Sequence, residues 1–225
     1  MKKRIVTIAL VIALLATCFA GTYAYLKDSQ AVVNTFTTGN VYITLTETGA
    51  VNGQNAYHLI PNNSYTKDPT ITLKAGSEDA YVAAKVIVTG TSDLSALIPM
   101  DGASGLLDIN KVLSGGLLDQ KGGSHGTYNG LNVFQNDNYA VYQVANGNNT
   151  WTLYIFMKNA QAAGTVTTLF TTLNTLPQWD NAEMDMIRGM KIEVQAFATQ
   201  AHGFVDCYQA MINAFATDFP FAQNP

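Results

Sequence analysis

The side chains able to do acid–base, nucleophilic or metal chemistry are few and scattered along these 225 residues. The three histidines are His58, His125 and His202, far apart in sequence. A zinc peptidase helix sets two histidines at i and i+4 so that both rings face one metal, with a glutamate as base. No His-Glu-x-x-His occurs, and none of the three has a second metal ligand at helical spacing. Cys207 and His202 are five residues apart, a poor geometry for activating a thiol on one helix. Asp180, Glu183 and Asp185 form a small acidic group, but the regular oxygen-ligand loop of a calcium site is missing. A solvated acidic helix start accounts for it better. There is no Walker-type phosphate loop. The sequence therefore assigns no catalytic residue, no metal ligand and no cofactor.

The N-terminus carries a clearer signal. Met1-Lys2-Lys3-Arg4 is a short basic region, and Ile5 to Phe19 is a run without charge. The run breaks at Ala20-Gly21-Thr22, short of the ~20 apolar residues that a membrane-spanning helix needs. Thr22 and Ala24 then supply small residues at the −3 and −1 positions read by signal peptidases. Residues 1–24 are expected to be a cleaved secretory signal, and the mature protein to work outside the cytoplasm.

Cleavage changes the charge. The mature chain keeps nine basic and all sixteen acidic residues, a net of −7 against −4 for the precursor. Nucleic-acid binding needs clustered Lys and Arg, and none occurs after Arg4. Cys18 leaves with the signal and Cys207 stands alone, so no internal disulfide can form. Its apolar surroundings, Phe204-Val205 and Tyr208, favour a buried thiol over pairing between chains.

The elements that would position any site are mostly strands. Val41–Glu47, Thr70–Lys74, Tyr81–Val88, Tyr139–Ala145, Trp151–Met157 and Lys191–Phe197 alternate or run apolar as strands do. A shorter strand is expected around Val33–Thr38, and Val166–Leu173 is Thr-rich and strand-like. Asn146-Gly147-Asn148-Asn149 is hairpin chemistry. Helices are minor: short turns at 94–98 and 106–118, a helix start at Asp180, and apolar residues at helical spacing from Phe204 to Phe219. The glycines at 115–116 and 122–126 read as a loop. About eight strands in two groups predict an all-β fold, a jelly-roll-like β-sandwich in a single domain over 25–225.

Three stretches resemble the TasA/camelysin family of secreted bacterial proteins. The first is Gly21-Thr22-Tyr23-Ala24-Tyr25-Leu26-Lys27-Asp28, followed by Asn34-Thr35-Phe36-Thr37-Thr38-Gly39-Asn40-Val41. The second is Lys67-Asp68-Pro69-Thr70-Ile71-Thr72-Leu73 with Gly76-Ser77-Glu78-Asp79-Ala80-Tyr81-Val82. The third is Ile192-Glu193-Val194-Gln195-Ala196-Phe197-Ala198-Thr199-Gln200-Ala201. They cover about a third of the chain in the family's order, and residues 90–190 lie outside them.

The resemblance implies a jelly-roll subunit of extracellular biofilm-matrix or cell-surface fibres, released by a dedicated signal peptidase. It implies as partners other copies of the chain and a related minor fibre protein, with no small-molecule substrate. In the TasA branch the mature N-terminal segment leaves its own subunit and completes a neighbour's sheet. Mapped here, the donor segment is about Tyr25 to Phe36, with Asp28, Val32, Val33 and Phe36 as its characteristic residues. Ala31–Phe36 is uncharged and β-prone in its own right. The alternatives are a camelysin-like secreted metallopeptidase and a non-polymerising accessory protein that anchors such fibres.

Overall fold

A computed structural model describes residues 40–221, apart from 52, 91–96, 100–106, 120–122 and 148. The residues expected at a signal cleavage site, Thr22 and Ala24, and in a donor strand, Asp28, Val32, Val33 and Phe36, lie outside the described residues, as does the strand expected around Val33–Thr38.

The described chain is an all-β sandwich with two short α-helices. Its larger layer is a six-stranded antiparallel sheet in the order β12-β4-β9-β8-β7-β6. These strands are β4 (Ala80–Thr89), β6 (Ser124–Tyr128), β7 (Leu131–Gln135), β8 (Tyr139–Ala145), β9 (Thr150–Met157) and β12 (Lys191–Gln200). Strands β6 to β9 are neighbours in sequence order and form a meander.

The second layer consists of two three-stranded sheets. One orders β1 (Ile43–Thr46), β3 (Thr70–Leu73) and β10 (Val166–Thr168); the other orders β2 (Ser64–Thr66), β11 (Thr172–Asn174) and β5 (Leu113–Ser114). They are stitched together where β2 bends into β3 and β10 into β11. Lys67 N–H donates to the Thr171 carbonyl (3.1 Å), and Leu169 N–H to the Pro69 carbonyl (2.9 Å). The Thr-rich stretch expected as one strand is broken here into β10 and β11, with the fully buried Leu169 and Phe170 between them.

Alternation along β4 explains how the layers meet. Val82, Ala84, Val86 and Val88 point into the core between the layers, packing with Val141, Leu153, Ile155, Ile71 and Phe170. Tyr81 and Ala83 point the other way and join Tyr154 and Phe156 beneath helix α2 (Cys207–Ala214) and Phe219. Phe156 alone, fully buried, contributes about 1.5–3 kcal/mol from the area it removes from water. The large sheet is thus buried on both faces at its centre.

Local chemistry sets the turns and helix ends. Asn129-Gly130 between β6 and β7 has positive φ at both residues (49° and 81°), as a tight two-residue hairpin requires. Ser124–Tyr128 is therefore a strand, although the glycines at 122–126 led us to expect a loop. Around Leu106–Leu118 the expected helical turns appear as two 3-10 turns, Ile109–Lys111 and Gly116–Asp119, with β5 between them. Gly116 combines φ 59° with a close approach to the Thr168 carbonyl, where a Cβ would sit 2.7 Å away. Helix α1 (Asn181–Ile187) begins with a capping box: Asp180 accepts from Ala182 N–H, and Glu183 accepts from Asp180 N–H. Asp206 caps α2 by accepting from Gln209 N–H (2.8 Å).

Candidate assembly edge

The residues singled out for chemistry do not converge. His58 and His202 are exposed, and His125 packs its ring edge-on against Phe134 in the β6–β7 hairpin. Among the described residues, no three His, Cys, Asp or Glu side chains are grouped to hold a metal ion. Asp180 and Glu183 are engaged in the capping box, and Asp185 pairs with Arg188 at 2.6 Å. Cys207 is fully buried with its thiol against the Val82 carbonyl (3.3 Å). Burial, reinforced by the Asp206 charge, pushes that thiol well above its ordinary range.

One motif escaped the sequence reading: Gly122-Gly123-Ser124-His125-Gly126 spells Gly-x-Ser-x-Gly, the hydrolase elbow pattern. The elbow needs its serine on a sharp turn from strand to helix. Ser124 instead opens β6, and the chain runs on as a strand to Tyr128 before the hairpin turn. The pattern is not an elbow here.

The apolar hollow between the layers is also no ligand site. Lined by Val88, Leu97, Ile109, Trp179 and Ile192 among others, it has about 10 Å³ of usable space. That is roughly one water molecule. Trp179, which roofs it, donates its indole N–H to the Leu97 carbonyl (3.0 Å). Among the described residues no helix is long and apolar enough to cross a membrane.

What stands out is the edge of the large sheet. β12 pairs with β4 without interruption, from Lys191 opposite Thr89 to Gln200 opposite Ala80. Among the described residues nothing pairs with its other side. Half of its N–H and C=O groups therefore face outward along ten residues. Natural edges are usually blunted by proline, bulges or charge. β12 has no proline and no break in register, and its only charges are Lys191 and Glu193, near one end. Val194 to Gln200 presents an uncharged edge.

The core is also thin at this edge. Ile192, Val194, Ala196 and Ala198 face the interior but stay partly exposed, whereas their neighbours on β4 are buried. β1, the edge of the second layer, passes close to β12. There Ile43 is only partly buried and Leu45 is 38% exposed. On this side of the sandwich, apolar side chains of both layers remain partly open to solvent. On the opposite face of β12, Phe197 is held edge-on by Phe215 (5.2 Å) and Phe219 (5.0 Å), so the strand is rigidly backed.

The described chain begins at the same corner. Glu78 N–H donates to the Asn40 carbonyl (3.1 Å), and Ala201 N–H to the Asp79 carbonyl (2.8 Å). Asn40 therefore sits at the Gln200 end of β12.

A tight polar network lies at the far end of β1. Lys67 Nζ contacts Glu47 Oε2 (2.9 Å) and Oε1 (3.1 Å), with the two side chains 7% and 16% exposed. Asn55 Nδ2 donates to Glu47 Oε1 (2.8 Å) and to the Thr48 carbonyl (2.9 Å). Tyr57 Oη lies 2.7 Å from Glu47 Oε1 and 3.0 Å from the Thr66 carbonyl. Burial raises the Glu47 pKa, but the hydrogen bonds from Asn55, Lys67 and Tyr57 outweigh it and hold the carboxyl below its ordinary value. Nothing in the sequence pattern pointed to this group, because its members are brought together only by the crossing of two strand ends.

No protein-family model, no curated protein and no solved structure matches this chain.

Proposed function

We propose that the protein is a secreted structural subunit that polymerises into extracellular fibres by adding its mature N-terminal segment to the β12 edge of another copy. The observation that carries this reading is the ten-residue edge of β12, which nothing among the described residues pairs with and whose core-facing side chains remain half-covered. An added strand would satisfy the outward backbone groups and cover Ile192, Val194 and Ala196 together. Ala31–Phe36 has the composition for that role: uncharged, with Val32, Val33 and Phe36 to fill alternate positions.

Chain reach favours exchange between subunits. Every strand pair in the described fold is antiparallel. An antiparallel strand on β12 of its own subunit would end near Lys191, while Asn40 sits at the Gln200 end. Ten strand residues span about 30 Å, and the three residues 37–39 can bridge only about 14 Å. An antiparallel strand that covers the edge as far as Lys191 is thus more readily supplied by another molecule.

The test is electron microscopy of the purified mature protein beside a variant lacking residues 25–36. The mature protein should form filaments, and the truncated one should remain a folded monomer. Filaments from both would overturn the exchange mechanism. A mature protein that stays monomeric but binds filaments of another protein would establish the accessory role instead. No observation favours a peptidase.

A further inference from the structure

We propose that Lys67 and Asn55 join through an intramolecular isopeptide bond, with Glu47 as the proton carrier between them. This inference is independent of the assembly reading. It rests on three groups that share one carboxylate. The amine of Lys67 and the amide nitrogen of Asn55 both lie on Glu47 Oε1, at 3.1 and 2.8 Å. A carboxylate placed between a nucleophile and a leaving group can take a proton from the first and give it to the second. The second hydrogen bond of Asn55 Nδ2, to the Thr48 carbonyl, fixes which end of the amide faces Glu47. Lys67 is nearly sealed from solvent, with its ammonium 5.8 Å over the Tyr57 ring. With the amine and the amide nitrogen both held on Glu47 Oε1, little entropy is left to lose on the way to the attacking geometry.

The step balances without any co-reactant. Glu47 takes one proton from the Lys67 ammonium, and the freed lone pair attacks Asn55 Cγ. Glu47 hands that proton to Nδ2 as the Cγ–Nδ2 bond breaks, its electron pair leaving with the nitrogen as ammonia. The carboxylate then takes the second proton from the now cationic Nζ and releases it to the ammonia as ammonium. The products are a Lys67–Asn55 amide and one ammonium ion; nothing is oxidised or reduced. The amide is bound by its leaving nitrogen to the same carboxylate oxygen that holds the amine.

The bond would fasten the loop after β1 to the corner between β2 and β3, closing residues 56–66 into a covalent ring. The test is the intact mass of the full mature protein, followed by peptide mapping. The expected mass is lower than the sequence mass by one ammonia, with a branched peptide joining Asn55 to Lys67. Glu47→Gln should return the full sequence mass. Lys67→Arg, which keeps a cation beside Glu47 and so preserves the fold, should do the same. A wild-type protein at full sequence mass overturns the proposal. So does an ammonia loss that maps to a succinimide at another asparagine, or a cross-link that persists in Glu47→Gln.

Discussion

Lys67 Nζ lies 2.9 Å from Glu47 Oε2 at a site where both side chains are largely buried, joining the end of β1 to the residue that follows β2. Twenty residues separate them in sequence, yet the contact ties down the end of the second layer's edge strand. Taking two charges out of water costs several kcal/mol, and only the surrounding hydrogen bonds from Asn55 and Tyr57 make the arrangement tolerable. Removing one partner leaves the other stranded. Lys67→Met should lower the stability of the folded domain by about 2–4 kcal/mol, read as a lower urea midpoint.

Asp68 beside this pair gives a pH dependence of known sign. Burial pushes its carboxyl up, but Thr48, donating from both Oγ1 (2.7 Å) and N–H (2.8 Å), holds it below the ordinary 3.8. A depressed carboxylate contributes stability that is fully present above its unfolded value and lost as pH falls through the folded one. Unfolding midpoints should therefore drop as pH falls below about 4. In Asp68→Asn that drop should be shallower, and an unchanged acid profile would show that the Thr48 bonds carry no such stability.

The start of α1 should behave as a capped helix. Asp180→Ala removes the acceptor for Ala182 N–H and should lower the midpoint of thermal or chemical unfolding. Glu183→Ala removes only the reciprocal bond to Asp180 N–H and should lower it less. Calcium should not change either value if the acidic group is a cap and nothing more.

The second core, on the far face of the large sheet, predicts a silent cysteine. Cys207 is fully buried and its thiol is held protonated by burial. The native mature protein should not react with a thiol reagent, and labelling should rise in step with unfolding. In the same core, Phe156→Ala should cost about 3–5 kcal/mol, since Tyr128, Tyr208 and Phe219 all pack on its ring.

The central strands were legible because their alternation is local. Val82, Ala84, Val86 and Val88 announce β4 without any tertiary knowledge, and Ile192, Val194 and Ala196 do the same for β12. β2 was not legible, because Ser64-Tyr65-Thr66 is short and polar and, among the described residues, pairs only with β11. β6 was hidden by Gly126, which reads as a loop residue but sits where Gln135 folds over the strand. The candidate edge was half visible: the sequence marks β12 as a strand but not as the last one. That depends on what fails to pair with it. The Glu47–Lys67–Asn55 group left no sequence signal at all, since Glu47 and Lys67 follow two different strands and Asn55 lies in the stretch between them.

The most direct test of assembly through β12 uses the mature domain lacking residues 25–36 and a synthetic peptide of residues 25–38, followed by amide hydrogen exchange. The account predicts one peptide bound per domain, with exchange slowed at the outward amides between Ile192 and Gln200. A proline at an outward position of β12 should abolish the binding. Absence of binding, or slowed exchange confined to strands other than β12, would contradict it.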